Sequence, residues 1–275
     1  MELERLTPRQ FDRFGDLIYK KSGIRIDPRK NALLSNRIRR RLRAGPFADF
    51  DVYYRYLVSA RGAGELEFFL DAITTSETSF FRTPDHFEWL RSEFLPAAAT
   101  AHRRGEREAS LRIWSAGCAS GAEAYSIAIC VAENSFRLRD WSVSIVGTDI
   151  SQEQLRLARE GVFKGRAVEG VSQSRLRRFF QPVPELQSWQ VRPAIRRMVE
   201  FKSHNLMLPV QEAPFDCVFI RNVLIYFDQD SKHKVVKRLI DALAPQGYLV
   251  VGPSEGIYDL LGSLKKCSPF LYQKA

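Results

Sequence analysis

The stretch Phe215-Asp-Cys-Val-Phe-Ile-Arg-Asn-Val-Leu-Ile-Tyr-Phe-Asp228 decides how this chain is read. Cys217 to Ile220 is a short apolar run of the kind buried in a parallel sheet, where both faces are covered. A cation and an amide, Arg221-Asn222, then stand where the strand should end. Open α/β sheets bind ligands in the crevice outside the carboxyl ends of their strands, so this pair is better placed to hold a ligand than to fill a core. Tyr226 follows four residues later, with a phenol that can reach the same crevice.

Outward from that strand, the texture alternates. Leu111 to Ala116 reads as a strand, Gly117 to Gly121 as a turn, and Ala122 to Ala132 as an apolar helix. Val143 to Gly147 is the next strand, ending in Thr148-Asp149, and Ser151 with Gln154 predicts a capping box for the helix after it. A helix near Ser231 to Leu243 separates the opening strand from another at Tyr248 to Val251. Strands alternating with helices imply an α/β fold with a doubly wound parallel sheet. Gly262 to Lys274 predicts a closing hairpin. The segment from Phe179 to Glu200 breaks the alternation with Pro182, Pro184, Pro193 and an isolated Trp189, and predicts a small inserted sub-structure at about 180–200.

The first 85 residues lack that alternation and read as helical. Thr7-Pro8 starts a helix with Phe11, Phe14, Leu17 and Ile18 inward, and Gly23 ends it. Further helices are expected at Lys30 to Leu42, Val52 to Val58 and Glu65 to Ala72. Thr83-Pro84-Asp85 starts another, with Thr83 as N-cap and an end near Pro96; residues 100–109 read as loop.

With 275 residues, 45% apolar and 27% charged, the chain is expected to be globular, one large domain plus a smaller one. No apolar run approaches the roughly 18 residues that span a bilayer, so no membrane insertion is expected. The N-terminus has no hydrophobic signal core, which makes a cytoplasmic location the expectation. The four cysteines and four histidines are scattered without CxxC or HExxH spacing, so neither disulfides nor a metal site is predicted. Net charge is +10, and its distribution is local: ten basic residues lie between Lys20 and Arg43 against one acid, Asp27. That points loosely to an acidic partner.

Two positions specify the ligand. In Ala116-Gly-Cys-Ala-Ser-Gly-Ala-Glu-Ala-Tyr125, Gly117 and Gly121 would let backbone N–H groups and a helix N-terminus approach a ligand, although the pattern is not GxGxxG. Glu123 would repel phosphates and suits an amine-bearing ligand; the alternative is an acid that complements the helix dipole. Asp149, closing the next strand, can accept both hydroxyls of a ribose. Together these describe a nucleoside without phosphates that carries positive charge and an amino acid moiety. S-adenosylmethionine fits better than NAD or ATP.

Ile73-Thr-Thr-Ser-Glu-Thr-Ser-Phe-Phe-Arg82, Trp114-Ser-Ala-Gly-Cys-Ala-Ser-Gly through Tyr125-Ser126, and Arg221-Asn-Val-Leu-Ile-Tyr-Phe227 occur in that order, with Asn205-Leu206 and Gly252-Pro-Ser-Glu255. In these motifs the chain resembles the bacterial chemotaxis receptor glutamate methyltransferases (CheR). The resemblance implies a helical receptor-facing domain and linker over residues 1–85, joined to a Rossmann-like class I methyltransferase domain over 86–275. It implies methyl transfer from S-adenosylmethionine to glutamates on receptor cytoplasmic helices, with S-adenosylhomocysteine as the other product. Position by position, Ser76, Thr78 and Arg82 would contact the cofactor from the linker, Glu123 its amino group and Asp149 its ribose. Gly117 would border it, Asn205 and Leu206 would flank the adenine, and Arg221 and Asn222 would line the methionine end. Arg82 and Tyr226 would sit beside the methyl donor. Arg37, Arg40 and Arg41 would face the acidic receptor helices, with a solvated charged face as the bland alternative. A monomer is the expected working form.

The acceptor chemistry is consistent with this set, because a glutamate with an unperturbed pKa of about 4.3 is already ionised at neutral pH and needs no general base. Alignment and desolvation would then dominate catalysis. Three departures stand out: Ser76 where the family has Asn, Ala122 in place of an acid, and Pro253 in place of His. The Gly-rich turn used by tail-docking members is missing near 180–200, so receptor recognition independent of a C-terminal tail is expected. A cofactor-binding regulatory module without turnover is the alternative that Ser76 and Ala122 suggest. A nucleic-acid methyltransferase is suggested by charge alone and is the lesser alternative; no nucleic-acid partner is expected.

Overall fold

The computed structural model describes residues 5–74, 77–212 and 214–275. Helices α1 (Pro8–Ser22), α2 (Asn31–Ala44), α3 (Phe50–Leu57) and α4 (Ala63–Ile73) pack around Phe14, Ile18, Ile38, Tyr53 and Phe69. The start of α1 is the one its sequence encodes: Thr7 and Gln10 form a reciprocal capping box and Pro8 occupies the first turn. Gly23 ends it in the left-handed region at φ 75°, donating its N–H to the Tyr19 carbonyl.

The second unit begins with α5 (Pro84–Trp89), a π-helical turn at Leu90–Phe94, and α6 (Leu95–Arg103). Its sheet is built from β1 (Ser110–Ala116), α7 (Ala122–Glu133), β2 (Ser142–Asp149) and α8 (Gln152–Glu160). A short excursion follows, with β3 (Val162–Phe163), α9 (Gln173–Phe179), β4 (Phe180–Val183), β5 (Ser188–Val191) and α10 (Pro193–Arg196). The chain then returns through β6 (Val199–Ser203), β7 (Phe215–Ile220), α11 (Gln229–Asp241), β8 (Leu243–Val251), β9 (Lys265–Ser268) and β10 (Leu271–Gln273). The main sheet runs β6-β2-β1-β7-β8-β10-β9, parallel except at β10 and β9, which form the expected hairpin. The excursion forms its own antiparallel sheet, β3-β5-β4. One apolar layer is centred on α7 and the other on α11, and the α1–α4 cluster is separate from both. The last residue of that helical cluster is Ile73, and Phe80 already belongs to the core around α7.

Sheet order places the crevice. Strand β1 connects to β2 on one side and has β7 on the other, with Ala116 paired to Ile220 in register. The next residues, Gly117 and Arg221, therefore leave the sheet side by side at the point where strand order reverses, the usual ligand position in such sheets.

Three local readings are corrected. Pro96 does not end a helix: the preceding turn shifts to i→i+5 bonding, with Leu95 N–H to the Leu90 carbonyl, and Pro96 falls in the first turn of α6, where its missing N–H is tolerated. Thr83 makes no cap bond and adopts φ 59°. Ser151 caps α8 through the Gln154 N–H, but its own N–H goes to Asp149, so only half of the expected capping box forms. Strand β6 was unread because its residues adjoin the proline-rich excursion. Among the described residues, no helix is long and apolar enough to cross a membrane.

The two units meet through main-chain and side-chain hydrogen bonds. Ile24 bridges Phe227, Arg25 N–H donates to the Tyr226 carbonyl at 3.0 Å, and Asn205 Nδ2 donates to the Lys21 carbonyl at 2.7 Å. Gly23 sits at this seam, where an added Cβ would lie 2.6 Å from the Met207 sulfur and 3.1 Å from the Phe227 ring. Gly23→Ala should therefore cost about 1–2 kcal/mol, combining left-handed strain with this contact. Urea denaturation measures it, and an unchanged midpoint would refute the seam's role.

Candidate functional site

A cleft of about 300 Å³ opens at the switch point, at the lower end of the usual range for small-ligand sites. Both units line it: Ile24, Arg25, Lys30, Leu33 and Arg37 from one, and Gly117, Glu123, Asp149, Arg221 and Tyr226 from the other. Thr78, Arg82, Asn205, Leu206 and Asn222 also line it. Arg40 and Arg41 are not among its lining residues, and Ser76 lies outside the described residues.

The turn after β1 supplies the cleft's shape, and four of its five N–H groups are bonded within the protein. Gly117 and Cys118 both donate to the Thr148 carbonyl at 2.8 Å, Ala119 donates to Asp149 Oδ2 at 2.9 Å, and Gly121 donates to the Cys118 carbonyl. The N–H groups of Gly117, Cys118, Ala119 and Gly121 are therefore not free to approach a ligand. Gly117, at φ 74°, is required instead because a Cβ would meet Val223 Cγ2 at 2.5 Å. A turn with most of its donors already satisfied suits a ligand without phosphates.

Asp149 holds this turn from the neighbouring strand. Its two oxygens accept from Ala119 and Ser151, each at 2.9 Å, and each oxygen retains a further lone pair for a hydroxyl donor. Burial raises its pKa above the ordinary aspartate value despite those bonds.

At the cleft floor, Glu123 and Arg221 form a buried ion pair, Nη1 to Oε2 at 2.9 Å, while Ser115 donates to Oε1 at 2.8 Å. The other guanidinium nitrogen, Nη2, donates to the Arg82 carbonyl and to Thr83 Oγ1 at 2.9 Å. Arg221 is therefore not a free cation at the strand end. Most of its fork is committed to Glu123 and to the linker, and only Nε is a buried donor without a partner. It also bears on Thr83, whose hydroxyl accepts from Arg221 while its left-handed backbone departs from the extended geometry of an N-cap. Phe81 and Thr83 flank Arg82 with φ of 52° and 59°. Such strained backbone persists only where its surroundings hold it, as the Arg221 bonds and the Phe81 N–H to Ser126 do here. The Arg82 side chain itself is exposed on the cleft wall.

The remaining groups separate by availability. Asn205 lines the cleft, but its amide bonds the Lys21 carbonyl and the Met207 N–H, so the side chain ties the units together. Leu206 is a buried apolar wall. The Tyr226 hydroxyl has no hydrogen-bond partner among the described residues. Arg37 reaches from α2 to the Ile73 carbonyl, and burial lowers its pKa, with Arg40 adding like charge and Tyr226 opposing. Arg41 is engaged within the helical unit: Glu65 holds it at 2.9 and 2.8 Å, bracing α2 against α4. Arg40 stays exposed on the outer face of α2.

Neither nearby soft group is a reactive nucleophile or acid. Burial, with Asp149 and Glu123 close by, pushes the Cys118 thiol well up and keeps it protonated. Burial and the Arg221 charge press His86 down to about 3, so it remains neutral behind the ion pair.

Sequence reasoning missed Glu255 as a site residue. It is fully buried, and its carboxylate accepts from the backbone N–H groups of Asn222, Val223 and Leu224. Its only sequence signal was its place in Gly252-Pro-Ser-Glu255.

Family models match nearly the whole chain. The model of the CheR methyltransferase all-alpha domain matches residues 9–74, and that of the CheR methyltransferase SAM binding domain matches residues 76–269. Chemotaxis protein methyltransferase of Salmonella typhimurium is 34% identical over 260 residues, 93% of this chain and 86% of its own. That of Escherichia coli is 33% identical over 259 residues, 93% of this chain and 87% of its own. Chemotaxis protein methyltransferase 1 of Pseudomonas aeruginosa is 36% identical over 273 residues, 96% and 97% of the two chains.

Glu123→Gln or Arg221→Met alone should cost about 3–5 kcal/mol in chemical denaturation, because each strands a buried charge. The double variant should lose clearly less than the sum. A strictly additive cycle would show that the two side chains are not energetically coupled.

Proposed function

This chain belongs to the CheR methyltransferase family, and on that premise we propose that it methylates glutamate side chains of methyl-accepting chemotaxis receptors during receptor adaptation. It is an S-adenosylmethionine-dependent methyltransferase. The products of the proposed reaction are glutamate methyl esters and S-adenosylhomocysteine, and the proposed setting is the cytoplasm.

The observation that carries this reading is the charge of the open cleft. Arg25, Lys30 and Arg82 are exposed on its wall with Arg37 half-buried beside them, against one exposed acid, Glu77. An anionic acceptor is drawn to that wall, whereas an amine would be repelled. A glutamate carboxylate also needs no proton removed, which suits a wall of cations and a phenol.

The donor set fits the cofactor chemically. When bound, S-adenosylmethionine supplies an electrophilic methyl group and carries a zwitterionic amino acid end. Glu123 would accept from its amino group through lone pairs left by Ser115 and Arg221. Arg82 and the unpartnered Arg221 Nε would face its carboxylate, and Asn222 would border it. Asp149 would take the ribose hydroxyls, Leu206 would cover the adenine, and Thr78 with Gly117 would close the sides. Arg37 would hold the acceptor carboxylate, and Tyr226 would align it with Arg82. Exposed Arg40 would steer the receptor helix in a salt-dependent way, since screening falls within about 8 Å at physiological ionic strength.

Recognition without a receptor tail remains part of the proposal. Strands β4 and β5 are joined by one tight 3-10 turn, Pro184–Leu186, with Gln187 left-handed, in place of a longer glycine-rich loop.

Labelled methyl transfer to a cognate receptor tests the reaction. Label should leave as methanol in mild base, and receptors lacking the C-terminal tail should be labelled equally well; base-stable label would rule out a carboxylate acceptor. Because Asp149 has a raised pKa, affinity for S-adenosylhomocysteine should begin to fall on acidification above the ordinary aspartate range near 4. The sign follows from protonation removing an acceptor. Asp149→Asn should bind more weakly and lose that pH dependence; a retained dependence would exclude Asp149 as its source.

A further inference from the structure

Glu255 has no part in the cofactor contacts proposed above, yet it is the most completely buried acid beside the cleft. Its carboxylate accepts from three successive backbone N–H groups: Asn222 to Oε1, then Val223 at 3.2 Å and Leu224 at 2.7 Å to Oε2. Among the described residues no salt bridge pairs it, and Glu123 adds like charge. Burying a carboxylate without a counter-ion is costly, and hydrogen bonds from N–H groups offset that cost only while their geometry is kept. The geometry kept here is unusual. Asn222 sits at φ 58°, directly after the strand that delivers Arg221 and just before the turn that carries Tyr226.

Pairing with β8 ends at Ile220 and Val251, so the N–H groups of 222–224 lie beyond the sheet and need another acceptor. Glu255 supplies it from the loop that follows β8. The approach is close: Gly252 donates to the Ile220 carbonyl at 2.9 Å, and a Cβ on it would lie 2.6 Å from Glu255 Oε1 and 3.1 Å from the Arg221 Cα.

We propose that Glu255 is a positioning residue for methyl transfer, holding the 222–224 turn so that Arg221, Asn222 and Tyr226 face one ligand. This rests on the reading of the cleft as the S-adenosylmethionine site. The buried carboxylate fixes the backbone of the strand end, while Glu123 fixes its Arg221 side chain. Two acids thus hold one turn by different means.

Glu255→Gln separates this role from a merely structural one. The amide keeps the size, removes the buried charge, and sets an NH₂ against at least one backbone N–H. Thermal stability should change little, because lost hydrogen bonding is offset by relief of desolvation. Affinity for S-adenosylhomocysteine by calorimetry should fall about tenfold, and amide hydrogen exchange should accelerate at 222–224. Gly252→Ala is the second variant, displacing the carboxylate without removing its charge, and should weaken binding in the same way. Native affinity and native exchange rates in both variants would overturn the proposal alone. Failure of the native chain to bind S-adenosylhomocysteine would overturn the cofactor-site reading, and this proposal with it.

Discussion

The buried pair of Glu123 and Arg221 is the constraint on which the cleft depends. An acid in the first turn of α7 and a cation at the end of β7 meet because β1 and β7 are neighbours in register. Each would be intolerable alone in that low-dielectric position. Paired, they fix the relation of two βα connections and also gather in the linker, since Arg221 bonds the Arg82 carbonyl and the Thr83 hydroxyl. The strained dihedrals on either side of Arg82 are the local consequence of that grip. A single guanidinium therefore decides where an exposed linker arginine stands relative to the sheet.

The pairing also bears on ligand choice. A lone glutamate selects for a cation, whereas an acid beside a cation complements a zwitterion, whose two charges are fixed a short distance apart. With four of its five donors satisfied internally, the Gly117 turn offers little of the N–H cradle that phosphates require. Charge selection at the floor and donor satisfaction at the turn point to the same ligand class by independent routes.

Much of this was legible in the sequence, for physical reasons that differ by element. Strands β1, β2 and β7 are buried on both faces, so each appears as an apolar run, and the polar residues after each run mark the crevice. The closing glycine of α1 was readable because few other residues tolerate its left-handed dihedral. What stayed hidden was pairing over long sequence separation. Glu65 and Arg41 look like two ordinary surface charges on different helices until the bundle folds. Thr83 looks like an N-cap because a threonine before Pro-Asp usually is one, and only tertiary contact with Arg221 redirects it. Pro96 escaped because a π-turn absorbs it, and no local pattern announces a change of helical period.

Glu255 shows the same limit in its sharpest form. A glutamate in a Gly-Pro-Ser-Glu turn suggests solvent, and nothing in its neighbours predicts complete burial. Its partners are main-chain N–H groups, which carry no residue identity and so leave no trace in the sequence at positions 222, 223 and 224. Side-chain pairing can be inferred from complementary residue types, but capture of backbone by a distant acid cannot. The strand end therefore combines a visible part, Arg221-Asn222, with an invisible one. The visible part supplies an asparagine that tolerates φ 58°, and the invisible part supplies the acceptor that holds the turn there.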